Sequence, residues 1–189
     1  KRVALTPEAV KILTDTGNEV FIQANAGLGA GFPDRDYSDN GAVVADTPQK
    51  VYECDIVIKI APFTEKEAAL LKGNQIVISF MNAATMGEET LSALTRKRVT
   101  ALAAERIKDN DGILPVVESM SEISGITSVL IASEYLSNTS GGKGVMLGGV
   151  TGVTPTEVVI IGANTAGEYA ARAALGLGAI VRVFDSSVH

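Results

Sequence analysis

The chain has one cysteine and one histidine in 189 residues, and each scarcity excludes chemistry. A single thiol, Cys54, rules out an internal disulfide and fits a reducing compartment, so a cytoplasmic location is expected. Its place between Glu53 and Asp55, at the start of an apolar stretch, is that of a half-buried strand residue. His189 is the last residue, so no Ser-His-Asp triad, Cys-His pair or His/Cys metal cluster forms within the core. Basic residues are in deficit: 16 Lys and Arg stand against 22 Asp and Glu, for a net charge of −6. No basic run interleaves with aromatics, which argues against nucleic acid as a partner. Long apolar runs are missing too, each being broken by Gly, Ser or a charge before the roughly 18 residues a membrane span needs. The chain begins at Lys1 and stops just after a strand, the pattern expected of a fragment, so its start neither claims nor excludes a signal peptide.

What is present is a hydrophobic content of 46%, enough for a packed core. Thr6 and Pro7 predict a helix start, with Thr6 as N-cap and Pro7 in the first turn, and Gly17 as its stop. Residues 18–24 then read as a strand, and Gly27 to Asn40 as an ordered loop with a short helical piece. Residues 55–60 and 75–80 are near-continuous β-branched runs, the pattern of strands buried on both faces of a parallel sheet. Helical segments are expected near 64–72 and 86–97, a further strand at 99–104, and one long helix from Met120 to Leu136. A Gly-dense segment, 140–153, precedes a strand, turn, helix and strand that close at Asp185. Alternating strands and helices predict an α/β fold of two Rossmann-like domains with parallel sheets, the second truncated. The boundary is expected near residue 137, giving 1–137 and 138–189. Gly142-Lys143 is not a phosphate loop, because Ser137 and Gly144 stand where that motif needs Gly and Ser or Thr; Lys143 reads as a solvated loop residue.

The strand Val158–Ile161 runs into G-A-N-T-A-G, residues 162–167. In a dinucleotide-binding unit the first glycine permits the turn, the second lets the backbone approach a pyrophosphate, and the third lets helix and strand pack closely. Gly162 and Gly167 hold the first and third places, while Asn164 stands at the second. Asn is the non-glycine residue most at home in left-handed backbone, and on that ground the turn is expected to survive. Thr165 and Ala166 complete the turn, and an Ala-rich helix follows with its positive end toward it. Asp185 lies 23 positions after Gly162, at the tip of the next strand, where an acid takes ribose hydroxyls and favours NAD over NADP; Arg182 and Ser186 do not overturn that preference.

Together with R-V-A-L-T-P (2–7), M-S-E-I-S-G (120–125) and G-G-K-G-V-M-L-G-G-V (141–150), these residues make the chain resemble the alanine dehydrogenase and nicotinamide-nucleotide transhydrogenase family along essentially its whole length. The resemblance implies a substrate domain, a nucleotide domain and, in the alanine dehydrogenases, oxidation of L-alanine to pyruvate and ammonia with NAD. It implies that Arg2 holds the substrate carboxylate, for which a guanidinium fork is suited. Met120 and Ser121 match positions lining substrate and cofactor, and the family implies a homo-oligomer acting on a small amino acid or 2-oxo acid.

Two departures stand out. Ala61 takes the place of a lysine and Asn82 that of a histidine used by the family's dehydrogenases for binding and proton transfer. Asn82 cannot carry a proton near neutral pH but can donate a hydrogen bond to a substrate carbonyl. Lys59 is the one nearby lysine, and strand alternation puts it on the same face as residue 61. The dehydrogenases' catalytic aspartate would fall beyond residue 189. Transhydrogenase members lack that lysine and histidine as well, and K-I-A-P (59–62) looks closer to them, whereas 141–150 looks closer to the dehydrogenases. Three functions therefore stand open: an alanine dehydrogenase-type enzyme, the NAD-binding subunit of a transhydrogenase with a membrane partner, and a non-catalytic NAD-binding module.

Overall fold

Thr6 lies in extended backbone and its hydroxyl accepts the N–H of Ala9 at 3.4 Å, so helix α1 (Pro7–Asp15) starts where Thr6 and Pro7 predict. Gly17, at φ +89°, turns the chain out of the helix. The computed structural model describes residues 2–186, and His189 lies outside them. Contacts divide the chain into two units, Lys1–Ile107 and Lys108–His189.

In the first unit β1 (Phe21–Gln23) pairs in parallel with β2 (Val43–Ala45), the crossover carrying helix α2 (Asp34–Asp39). A small core gathers Val10, Ile22, Tyr37 and Ala42, and the Tyr37 hydroxyl is satisfied by the Leu5 carbonyl at 2.9 Å. Helix α3 (Pro48–Tyr52) leads to β3 (Ile56–Ile58), then α4 (Glu65–Leu70), β4 (Ile76–Ser79), α5 (Glu88–Arg96) and β5 (Thr100–Ala103). Strands β3, β4 and β5 form a parallel sheet in sequence order, with Ile56 opposite Ile76 and Ile76 opposite Thr100. Its core joins Val57 and Val77 to Tyr52, Ala68 and Leu94 from the three helices.

That core covers one sheet face, and here the structure corrects the sequence expectation of strands buried on both faces. Val57 and Val77 are 3% and 0% exposed, but Ile56 is 51% and Ile76 37% exposed. The run of β-branched residues reports strand propensity on both faces, whereas burial depends on where the helices pack.

In the second unit, helix α6 (Pro115–Leu136) is followed by β6 (Glu157–Ile161), α7 (Thr165–Gly176) and β7 (Ile180–Phe184), with β6 and β7 parallel. Helix α6 begins at Pro115 rather than Met120, because proline at the first position sets a helical φ while Leu114 before it offers no capping side chain. Contacts group α6 with this second unit, and residue 137 follows its last residue. Val129, Ala170 and Ala174 form the core with Leu147 and Ala179, flanked by Val158, Ile160 and Val181. Gly125 is buried where α6 meets α7: a Cβ there would meet the Ala166 carbonyl and the Ala170 N–H.

Candidate functional site

The nucleotide-type turn lies wholly in the second unit. Gly162 ends β6 at φ +105°, a conformation that side chains resist, and its N–H bonds to the Phe184 carbonyl at 2.7 Å. A Cβ at Gly167 would collide with the Gly162 carbonyl oxygen, so glycine is required there for helix α7 to sit against the strand end.

Asn164 is not in left-handed backbone, contrary to the expectation from the sequence. Its φ is −69° and ψ −179°, and it is the N-cap of α7, its Oδ1 accepting the Gly167 N–H at 3.1 Å. The side chain stabilises the turn by satisfying one of the helix's orphan donors, and no unusual φ is needed. Thr165 and Ala166 follow as the first two helical residues, their N–H groups lying in the turn of α7 that has no preceding carbonyl to bind.

Asp185, just past β7, reaches back to the turn: its Oδ2 accepts the Ala163 N–H at 2.5 Å. The parallel pairing of β6 and β7 explains this, since Ile161 lies opposite Phe184 and both strands end on one edge. Gly162, Asn164, Thr165, Ala166, Gly167 and Asp185 are thus brought together. Arg182 is engaged in an ion pair with Glu157. The residues fit a dinucleotide: a glycine turn, helix-opening N–H groups for a diphosphate and an acid beside them. Ser121 stands one helical turn before Gly125, on the face that meets α7; Met120 precedes it and both are half-buried.

Of the substrate-side residues, Arg2 and Asn82 lie in the first unit and Met120 in the second. Arg2 is exposed and lines a cleft of ≈ 750 Å³ between the two sheets, together with Ile58, Lys59 and Glu67. A second depression, of ≈ 1090 Å³, lies over α4 and α5, lined by Glu65, Glu88 and Arg96, away from every residue singled out by sequence.

Ala61 and Asn82 both follow the carboxyl ends of neighbouring parallel strands, the edge where open α/β sheets bind ligands. Both are exposed. Ladder hydrogen bonds run on past Ile58, from the Phe80 N–H to the Ile60 carbonyl at 3.2 Å and from the Lys59 N–H to the Ile78 carbonyl at 3.0 Å, but the Lys59 side chain is engaged elsewhere. Its ammonium lies 2.5 Å from Glu67 Oε1 and 3.2 Å from the Pro62 carbonyl, over the Phe63 ring. Burial disfavours the Glu67 charge, but hydrogen bonds from Lys59, the Thr64 N–H and hydroxyl, and Tyr52 outweigh it and hold the carboxyl down to about 2. Burial and the Glu67 contact push the Tyr52 hydroxyl well up.

Glu105 is the residue that sequence reasoning missed. It sits in a 3-10 turn after β5, and its two carboxylate oxygens accept the N–H groups of Met81 at 3.1 Å and Asn82 at 2.9 Å. The contact joins residues more than twenty positions apart, and only the pairing of β4 with β5 brings them together.

A parallel α/β chain with a glycine turn, a capped helix and an acid at the tip of the next strand defines the class of proteins built around a dinucleotide-type unit. Comparison with known proteins narrows the class. The family model for the alanine dehydrogenase/PNT N-terminal domain matches residues 1–124, and that for the C-terminal domain matches residues 128–189. Alanine dehydrogenase of Mycolicibacterium smegmatis is 39% identical over 189 residues, which is 100% of this chain and 51% of the relative. A solved L-alanine dehydrogenase structure superposes with a TM-score of 0.91 at 38% identity, covering 98% of this chain and 51% of that one. A transhydrogenase from Sinorhizobium meliloti gives 0.83 at 27% identity, covering 98% and 55%. The chain belongs to the alanine dehydrogenase/PNT family and spans about half the length of the relatives it matches. Among the described residues, no helix is long and apolar enough to cross a membrane.

Proposed function

We propose that the protein carrying this chain is an NAD-linked oxidoreductase of the alanine dehydrogenase type, acting on L-alanine or a close amino acid, with substrate preference or rate altered at residues 61 and 82. The observation that carries this reading is the turn at Gly162–Gly167 with Asp185 bonded across it, in a chain 39% identical to an alanine dehydrogenase along its whole length. NAD, when bound, supplies the hydride acceptor. The chain's own residues then divide the remaining work. Gly162, Asn164, Thr165, Ala166 and Gly167 shape the turn that takes the diphosphate, Asp185 accepts hydrogen bonds from ribose hydroxyls, and Ser121 lines the cofactor. Arg2 holds the substrate carboxylate through its planar fork, and Met120 offers an apolar surface. Asn82 donates to the substrate carbonyl oxygen, leaving the proton transfer to a group other than Asn82 or Ala61. The protein acts in the cytoplasm as a homo-oligomer, with neither nucleic acid nor membrane as partner.

Purified full-length protein, supplied with NAD and a panel of L-amino acids, is expected to produce NADH with at least one of them, read at the dihydronicotinamide absorbance. NAD bound with no turnover on any amino acid would contradict the dehydrogenase reading. A second reading, the NAD-binding subunit of a transhydrogenase with a membrane partner, is favoured by one observation, the absence of lysine and histidine at positions 61 and 82. It requires hydride exchange between NADH and an NADP analogue in the presence of that partner. A non-catalytic NAD-binding module rests on the same absence, and any wild-type turnover removes it.

A further inference from the structure

Asn82 is one of the two replaced positions, and its backbone is held from both sides. It lies at φ +44°, which non-glycine residues rarely adopt. Its carbonyl accepts the N–H groups of Thr85 at 2.8 Å and Met86 at 3.1 Å, along with the Thr85 hydroxyl at 3.1 Å. Its N–H, with that of Met81, is taken by Glu105 from the neighbouring strand end. Both partners of the Glu105 carboxylate are donors, so the site calls for two acceptors. A glutamine offers one oxygen and would turn an NH2 toward the other N–H. Burial works against the charge on Glu105, but these N–H groups, its own backbone and Arg106 hold its carboxyl below the usual range.

We propose that Glu105 is a positioning residue for the substrate side of the reaction: by clasping the Met81 and Asn82 amides it fixes the left-handed turn that presents the Asn82 side chain at the carboxyl edge of the sheet. The inference rests on the dehydrogenase reading for Asn82's contact with a 2-oxo acid, while the clasp is a property of the first unit itself. Two charge-assisted hydrogen bonds aimed at adjacent amides constrain a turn more tightly than water-bonded amides would. A carboxamide on a loosened turn loses its alignment with a carbonyl before it loses its chemistry.

The test is a double-mutant cycle on the full-length protein with pyruvate as the probe, measured by calorimetry in saturating NADH. Glu105→Gln is expected to weaken pyruvate about tenfold, and to raise KM for pyruvate more than it lowers kcat. NADH affinity should stay within about twofold of wild type, which also reports that the variant is folded. Asn82→Ala should weaken pyruvate by a similar factor, and adding Glu105→Gln to it should cause little further loss, because both act through one side chain. Faster hydrogen exchange at Met81 and Asn82 in Glu105→Gln would accompany this result. Unchanged pyruvate affinity in Glu105→Gln, or losses that multiply in the double variant, would overturn the positioning role alone. Wild-type protein that binds NADH but not pyruvate would overturn the dehydrogenase reading, and the proposal with it.

Discussion

The side-chain oxygen of Asn164 accepts the backbone N–H of Gly167 at 3.1 Å, and this one bond turns an imperfect glycine fingerprint into a capped helix start. The middle glycine of the motif normally clears space for a diphosphate; here a polar side chain occupies that space while folded back onto its own helix.

Removing the cap has a definite cost. Asn164→Ala is expected to lower stability by about 1 kcal/mol, seen as a lower denaturation midpoint, whereas Asn164→Gly should cost only a few tenths. Because the glycine variant also clears the approach to the turn, its affinity for NADH should equal or exceed wild type. An alanine variant as stable as wild type would show that the cap is not used.

Helix α6 and helix α7 meet at Gly125, where a Cβ would strike the Ala166 carbonyl and the Ala170 N–H. Gly125→Ala improves helix propensity by roughly 1 kcal/mol, but backbone atoms cannot step aside as a flexible side chain can. A net loss of about 1–3 kcal/mol is expected, visible as a lower melting temperature, together with weaker NADH binding as the start of α7 is displaced.

Glu67, with Lys59 and Tyr52, makes an acid-sensitive contribution to the first unit. Its carboxyl is held at about 2 against an ordinary 4.5, so the stabilisation is fully present above pH 4.5 and is lost as pH falls toward 2. Because Glu67 is partly exposed, solvent screening limits the contribution to about 1–2 kcal/mol. Glu67→Gln should therefore be less stable than wild type at neutral pH by about that amount, and the difference should close in acid titration between pH 4.5 and 2. A difference that persists at pH 2 would point to packing rather than charge.

The parts of the fold legible in sequence are those fixed by local chemistry. Thr6 and Pro7 announced α1, and the β-branched runs announced β3 and β4. Helix α3 carries the same Thr-Pro signal at Thr47 and Pro48, but five residues of helix beside a three-residue strand leave too little periodicity to read. Asn164 shows the same split in the site. Asparagine three positions before Gly167 is an N-cap signal, yet the fingerprint's demand for glycine directed attention to left-handed backbone instead. Glu105 and the Lys59–Glu67 pair were not legible, because each depends on where the chain returns after a strand or helix, and residue spacing alone carries no such information.

The central claim, that this chain carries an NAD-selective turn, is tested most directly by calorimetric titration of the full-length protein with NADH and with NADPH, in wild type and in Asp185→Ser. Wild type is expected to bind NADH at least about tenfold more tightly than NADPH, because a 2′-phosphate would meet the Asp185 carboxylate, and the serine variant should lose most of that preference. Failure of both nucleotides to bind wild type would contradict the assignment of the turn, and equal binding of the two would contradict the role given to Asp185.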